Sequence, residues 1–99
     1  MNILWSPNAL KRASEIIDYI SEDSPENAAL WFDKLKEKIE NLHVFPSMGR
    51  KLPEIDSDNV RELVFDNYGI VYEIKSSTVH ILTIRHFRMH SLNEKLTDE

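Results

Sequence analysis

Arg50, Arg61, Glu62, Arg85, His86 and Arg88 fall in the second half of this 99-residue sequence. Together they are the residue types that phosphate chemistry uses. Metal-free RNA cleavage needs a base for the 2′-hydroxyl proton, an acid for the leaving 5′-oxygen and cations for the phosphorane. A histidine titrates near neutrality, so His86 suits proton transfer. The arginines supply cations and Glu62 is a conceivable base. If the chain cuts RNA, Arg61, His86 and Arg88 are the residues to carry the reaction. If it binds without cutting, Arg50, Arg61, Arg85, His86 and Arg88 are candidate contacts with a target or partner. Solvated strand ends also gather arginines that lie along the surface, so residue types alone leave both readings open. His86 and His90 stand four apart, a metal spacing on a helix. They straddle the end of an expected strand and no third ligand accompanies them, so no metal is expected.

Composition narrows the choice. There is no cysteine, which excludes disulfides, thiolate nucleophiles and cysteine zinc sites. Two glycines are too few for a phosphate-cradling loop, and no cofactor is expected. No apolar run approaches the ~20 residues of a membrane span, and the N-terminal residues lack the basic and apolar regions of a signal peptide. A cytoplasmic protein without membrane contact is expected. At this length the chain, residues 1–99, should form one domain around one modest core.

The charges divide unevenly. Twelve Lys and Arg against 17 Asp and Glu give a net of −5, a poor balance for indiscriminate nucleic-acid binding. Residues 1–45 carry 5 basic and 8 acidic groups, residues 46–90 carry 6 and 6, and residues 91–99 carry 1 and 3. The second half is therefore neutral, with room for a local cationic patch.

The elements that must position these residues follow from spacing. Ile3-Leu4-Trp5 reads as a short strand. Ser6-Pro7 is an N-cap followed by a first-turn proline, opening a helix to about Ser21 with Leu10, Ala13, Ile17 and Ile20 on one stripe. Ser24-Pro25 repeats the device for a second helix to about Val44. Its stripe is Ala28, Trp31, Phe32, Leu35, Ile39 and Leu42, and the short connection predicts an antiparallel hairpin. Pro46, Gly49 and Pro53 make Phe45 to Asn59 a long loop. Strands follow at Val60–Phe65, Tyr68–Ile74 and Thr78–Phe87, separated by turns at Asp66-Asn67 and Ser76-Ser77. Strict alternation along the last strand places His80, Leu82, Ile84, His86 and Arg88 on one face, and Val79, Ile81, Thr83, Arg85 and Phe87 on the other. The tail from 89 to 99 reads as a short helix or a frayed end. The fold class is α+β, in the order β-α-α-β-β-β. The hairpin covers one face of a mainly antiparallel sheet and leaves the other open for a site.

A set of motifs in this order resembles the RelE/ParE superfamily of type II toxin–antitoxin toxins. They are Trp5-Ser6-Pro7 with Ala9, Ile17 to Ile20, Leu42, Phe45-Pro46, Gly49-Arg50, Pro53-Glu54, Val60-Arg61-Glu62-Leu63, Tyr68-Gly69-Ile70-Val71-Tyr72, and Ile81 through His86 to Arg88. The resemblance covers nearly the whole chain. It implies the fold just described and a tight complex with a small cognate antitoxin. RelE-like members cut mRNA on the ribosome, whereas ParE-like members inhibit DNA gyrase. RelE-like members commonly carry an arginine where this chain has Gly69, although many ParE-like members keep one there too. The missing arginine, the net charge and the Phe45 to Glu54 stretch favour the ParE-like branch. The expectation is a gyrase inhibitor neutralised by its antitoxin. The alternatives are a ribosome-dependent mRNA endoribonuclease and a degenerate toxin that only binds its antitoxin.

Overall fold

The computed structural model describes residues 1–87; the expectations for Arg88, His90 and the tail from 89 to 99 lie outside the described residues. The chain runs β1 (Asn2–Trp5), α1 (Pro7–Asp23), α2 (Pro25–Glu40), a 3₁₀ turn (Asn41–His43), β2 (Arg50–Lys51), β3 (Val60–Phe65), β4 (Tyr68–Lys75) and β5 (Thr78–His86). The strands form one sheet in the order β1-β5-β4-β3-β2. β1 pairs parallel to β5 and every other pair is antiparallel.

The capping signals work as their chemistry requires. Ser6 Oγ accepts from Ala9 N–H at 3.0 Å and donates to Leu82 O at 2.8 Å. One hydroxyl thus starts α1 and ties it to β5. Ser24 ends one helix and begins the next: its N–H donates to Ile20 O at 3.0 Å and its Oγ accepts from Asn27 N–H at 3.1 Å. α1 extends two residues beyond Ser21. α2 stops at Glu40, short of Val44, and its last turn tightens into the 3₁₀ geometry.

The hairpin lies on one sheet face, as expected. Leu35, Ile39 and Leu42 pack with Ile70, Tyr72, Val79, Ile81 and Ile84 in the main core. The opposite face is less open than the sequence suggests. The segment after β2 folds against it, so that Leu52 joins Val60, Val71 and Leu82 in a second apolar cluster.

Two features of the sheet depart from the sequence reading. β2, a two-residue strand, sits inside the expected loop and pairs Arg50 with Glu62 and Lys51 with Arg61. β5 also carries a bulge: Val71 pairs with Thr83 and Tyr72 with Ile81, leaving Leu82 as the extra residue. An extra residue reverses the alternation beyond it. Ile84 therefore joins Val79 and Ile81 in the main core, whereas Leu82 packs on the other face. Arg85 accordingly leaves the face of Ile81 and His86 leaves that of Leu82, the reverse of strict alternation. Among the described residues no helix is long and apolar enough to cross a membrane.

Candidate functional site

The bulge carries Arg85 to the sheet face opposite the helices, where it meets Glu62 from β3 and Arg50 from β2. Glu62 Oε1 accepts from Arg50 Nη2 at 2.7 Å and Nε at 3.2 Å. Its Oε2 accepts from Arg85 Nε at 2.7 Å. The Glu62 side chain is fully buried, while those of Arg85 and Arg50 are 26% and 51% exposed. Arg85 Nη2 also lies 3.7 Å from Glu54 Oε2. The Glu62 hydrogen bond is the largest influence on Arg85 and strengthens its hold on its proton, against a smaller opposing effect of burial. Two arginines and two carboxylates make the cluster neutral.

Gly69 makes room for this cluster. It stands diagonally across from Glu62 on β4, and a Cβ there would lie 2.1 Å from Glu62 Oε2. Its φ is not positive, so the need is for space and not for an unusual backbone. The glycine in the arginine position is where the carboxylate rests. Both oxygens of Glu62 already accept from guanidinium groups, which leaves it badly placed to act as a base.

Arg61, the next residue, points to the other face and toward the segment joining α2 to β2. Its Nη1 donates to Gly49 O at 2.9 Å and Ser47 O at 3.2 Å, and its Nε donates to Asp58 O at 3.1 Å. The buried Tyr72 hydroxyl joins in, donating to Pro46 O at 2.7 Å and accepting from Gly49 N–H at 2.9 Å. Burial raises the pKa of Tyr72, against smaller lowering effects of its Gly49 hydrogen bond and the charge of Arg61. Arg61 is thus a clasp on loop carbonyls.

His86 stands on the helix-side face against Tyr68, with ring centroids 4.7 Å apart in an edge-to-face contact. Trp31 contacts Tyr68 in turn at 5.4 Å, and burial raises the pKa of Tyr68. Arg61 pairs with Tyr72 and His86 with Tyr68, positions four residues and roughly 13 Å apart along β4. The structure brings Arg50, Glu62 and Arg85 together but holds Arg61 and His86 apart. Among the described residues no three His, Asp or Glu side chains gather as a metal would require.

Sequence reasoning named Arg50, Glu62 and Arg85 one by one and did not join them. No local signal marks the bulge that unites them. It also passed over a groove of about 580 Å³, lined by Trp5, Leu10, Phe32 and Ile39 with Asp33, Glu37, Glu40 and Lys36, whose Nζ lies 4.7 Å from the Phe32 ring centroid. Leu10, which its spacing places on the apolar stripe of α1, is instead 56% exposed and lines this groove.

Comparison with known proteins bears on the family and the fold. A family model described as the ParE toxin of the type II toxin–antitoxin system parDE matches residues 3–90. A protein of Sinorhizobium fredii named "Putative toxin Y4kP" is 38% identical over 86 residues, covering 85% of each chain. A solved structure described as the "Chromosomal ParDE TA system from P. aeruginosa" superposes with a TM-score of 0.72 at 22% identity, covering 87% of this chain and 95% of that one. That likeness establishes the shared fold.

Proposed function

The chain belongs to the ParE toxin family of type II toxin–antitoxin systems, and from that membership we propose that it arrests growth in the cytoplasm by acting on DNA gyrase and is held inactive by a cognate antitoxin. The observation that supports a protein target is that, among the described residues, Arg50, Arg61 and Arg85 are each engaged within the fold. Arg50 and Arg85 converge on Glu62, and Arg61 is engaged by three backbone carbonyls. A ribonuclease must leave such groups available to a phosphorane. Here they hold the sheet edge and the adjacent loop.

The groove beside α2 is offered as the antitoxin's docking place: it has an apolar floor, with three carboxylates and Lys36 in its lining. It fits a segment that presents a large apolar side chain flanked by lysine or arginine.

Purified protein tests the reading in two reactions, gyrase supercoiling and ribosome-dependent mRNA cleavage. Inhibited supercoiling with intact mRNA is expected, reversed by the antitoxin. Cleaved mRNA with normal supercoiling would establish the endoribonuclease alternative. Antitoxin binding with neither activity would mark a degenerate toxin.

A further inference from the structure

Lys36 occupies a cation seat in the groove beside α2. Its Nζ lies 4.7 Å from the centroid of the Phe32 ring and 3.7 Å from Asp33 Oδ1. An aromatic face with a carboxylate at its side attracts a positive charge, and here the chain supplies that charge itself. The hold is slight. The Lys36 and Asp33 side chains are 52% and 70% exposed, and an exposed ion pair of this kind contributes little in water. An ammonium group is also the poorer fit. A guanidinium stacks flat on a ring, is more weakly hydrated, and offers a carboxylate two parallel N–H donors.

The remaining charges of the groove favour the same replacement. Asp33, Glu37 and Glu40 follow one another at spacings of four and three, so they line one side of α2 over about 10 Å. Among the described residues of the lining, Lys36 is the one cation set against them. Asp33 shares it. Glu40 Oε1 lies 3.4 Å from His43 Nε2, an ion pair only while that ring is protonated. Glu37 has no hydrogen bond or ion pair among the described residues. The floor of Trp5, Leu10, Phe32 and Ile39 takes an apolar side chain, and the carboxylate row takes a cation beside it. We propose that an arginine of the antitoxin displaces Lys36 from between Phe32 and Asp33, so that Lys36 is a resident competitor that sets which partners enter. The proposal rests on the groove being the antitoxin's docking place, and adds the residue type that enters and the one that yields.

The test is a double-mutant cycle on the purified chain and its cognate antitoxin. Each arginine of the antitoxin is changed to glutamine in turn, with and without Asp33→Asn in this chain, and affinity is read by competition titration. One arginine is expected to couple to Asp33: its loss weakens capture about tenfold with the parent chain and far less with Asp33→Asn. Lys36→Gln empties the seat and tightens capture several-fold. Lys34→Gln, the same charge change outside the groove lining, leaves capture within about twofold. These side chains are exposed, so the variants stay folded, which the thermal unfolding midpoint checks. The absence of any arginine coupled to Asp33 overturns the proposal. Equal tightening by Lys36→Gln and Lys34→Gln, or weaker capture by Lys36→Gln, also overturns it. Leu10→Ser tests the groove reading separately, since this side chain is 56% exposed and carries no charge. It is expected to weaken capture about tenfold. Unchanged capture in Leu10→Ser defeats the groove reading and the proposal with it. Weakened capture without coupling at Asp33 leaves the groove reading standing and defeats the arginine seat alone.

Discussion

Glu62 decides how the arginines of this molecule are used. Its carboxylate lies over Gly69 and takes one guanidinium on each oxygen. Glu62 is the buried member of the group, and its partners Arg50 and Arg85, 51% and 26% exposed, regain water when it is removed. Glu62→Ala is expected to destabilise by about 1.5–3 kcal/mol in urea unfolding, the scale of hydrogen bonds to a charged group. Gly69→Ala forces a methyl into the carboxylate, costing about 1–3 kcal/mol as overpacking does. The double variant Glu62→Ala/Gly69→Ala then costs less than the two changes added, because the group the methyl strikes is gone. Strict additivity would contradict the contact. The two buried tyrosines give a pH test. Burial holds the pKa of Tyr68 and of Tyr72 above the ordinary 10.0. The folded state therefore keeps protons that the unfolded state releases. That stability is complete below about pH 10 and declines as pH rises from there through the folded pKa values. Tyr72→Phe should lose stability at neutral pH with its two loop hydrogen bonds, and should show a shallower alkaline decline than the parent. An unchanged alkaline slope in denaturant titrations would show that Tyr72 titrates freely. At this scale the sequence supplied identities without neighbours. Arg50, Glu62 and Arg85 were visible, but nothing in their spacing shows that three strands deliver them to one point.

Among the elements, what was legible followed local chemistry. Ser6-Pro7 and Ser24-Pro25 announce the two helices because a side-chain oxygen and a proline satisfy the first turn whatever lies beyond. The strands at residues 60–65 and 68–75 and their turns were legible for the same reason. β2 was not, since two residues carry no periodicity and form a strand only because Glu62 and Arg61 stand opposite. The bulge at Leu82 was hidden because β5 is apolar on both faces, so hydrophobicity cannot report which face each residue takes. The Ser76-Ser77 turn was expected, but not its tension. Both serines have positive φ, 51° and 63°, where non-glycine residues are disfavoured by roughly 1–2 kcal/mol each. Asn-Gly is the pair this hairpin geometry prefers. Ser76→Asn/Ser77→Gly should raise the unfolding midpoint by roughly 4–8 °C, the shift expected from about 1 kcal/mol in a domain of this size. A lower midpoint would contradict the turn assignment.

For the whole molecule, the net charge of −5 is informative once divided among surfaces. Residues 1–45, which hold both helices, carry a net of −3 and residues 91–99 a net of −2. The arginines of the open sheet face are neutralised by Glu62 and Glu54. The loop at residues 44–48 is apolar, and the two cations that follow it, Arg50 and Lys51, are paired with Glu62 and Asp58. The proposed target of this toxin is a protein. The most direct measurement is a dose–response of the purified chain in a gyrase supercoiling reaction, run beside a ribosome–mRNA cleavage reaction at the same concentrations. Supercoiling is expected to fall with dose and to recover when antitoxin is added, while the mRNA stays full length. Cleaved mRNA at concentrations that leave supercoiling untouched would contradict it.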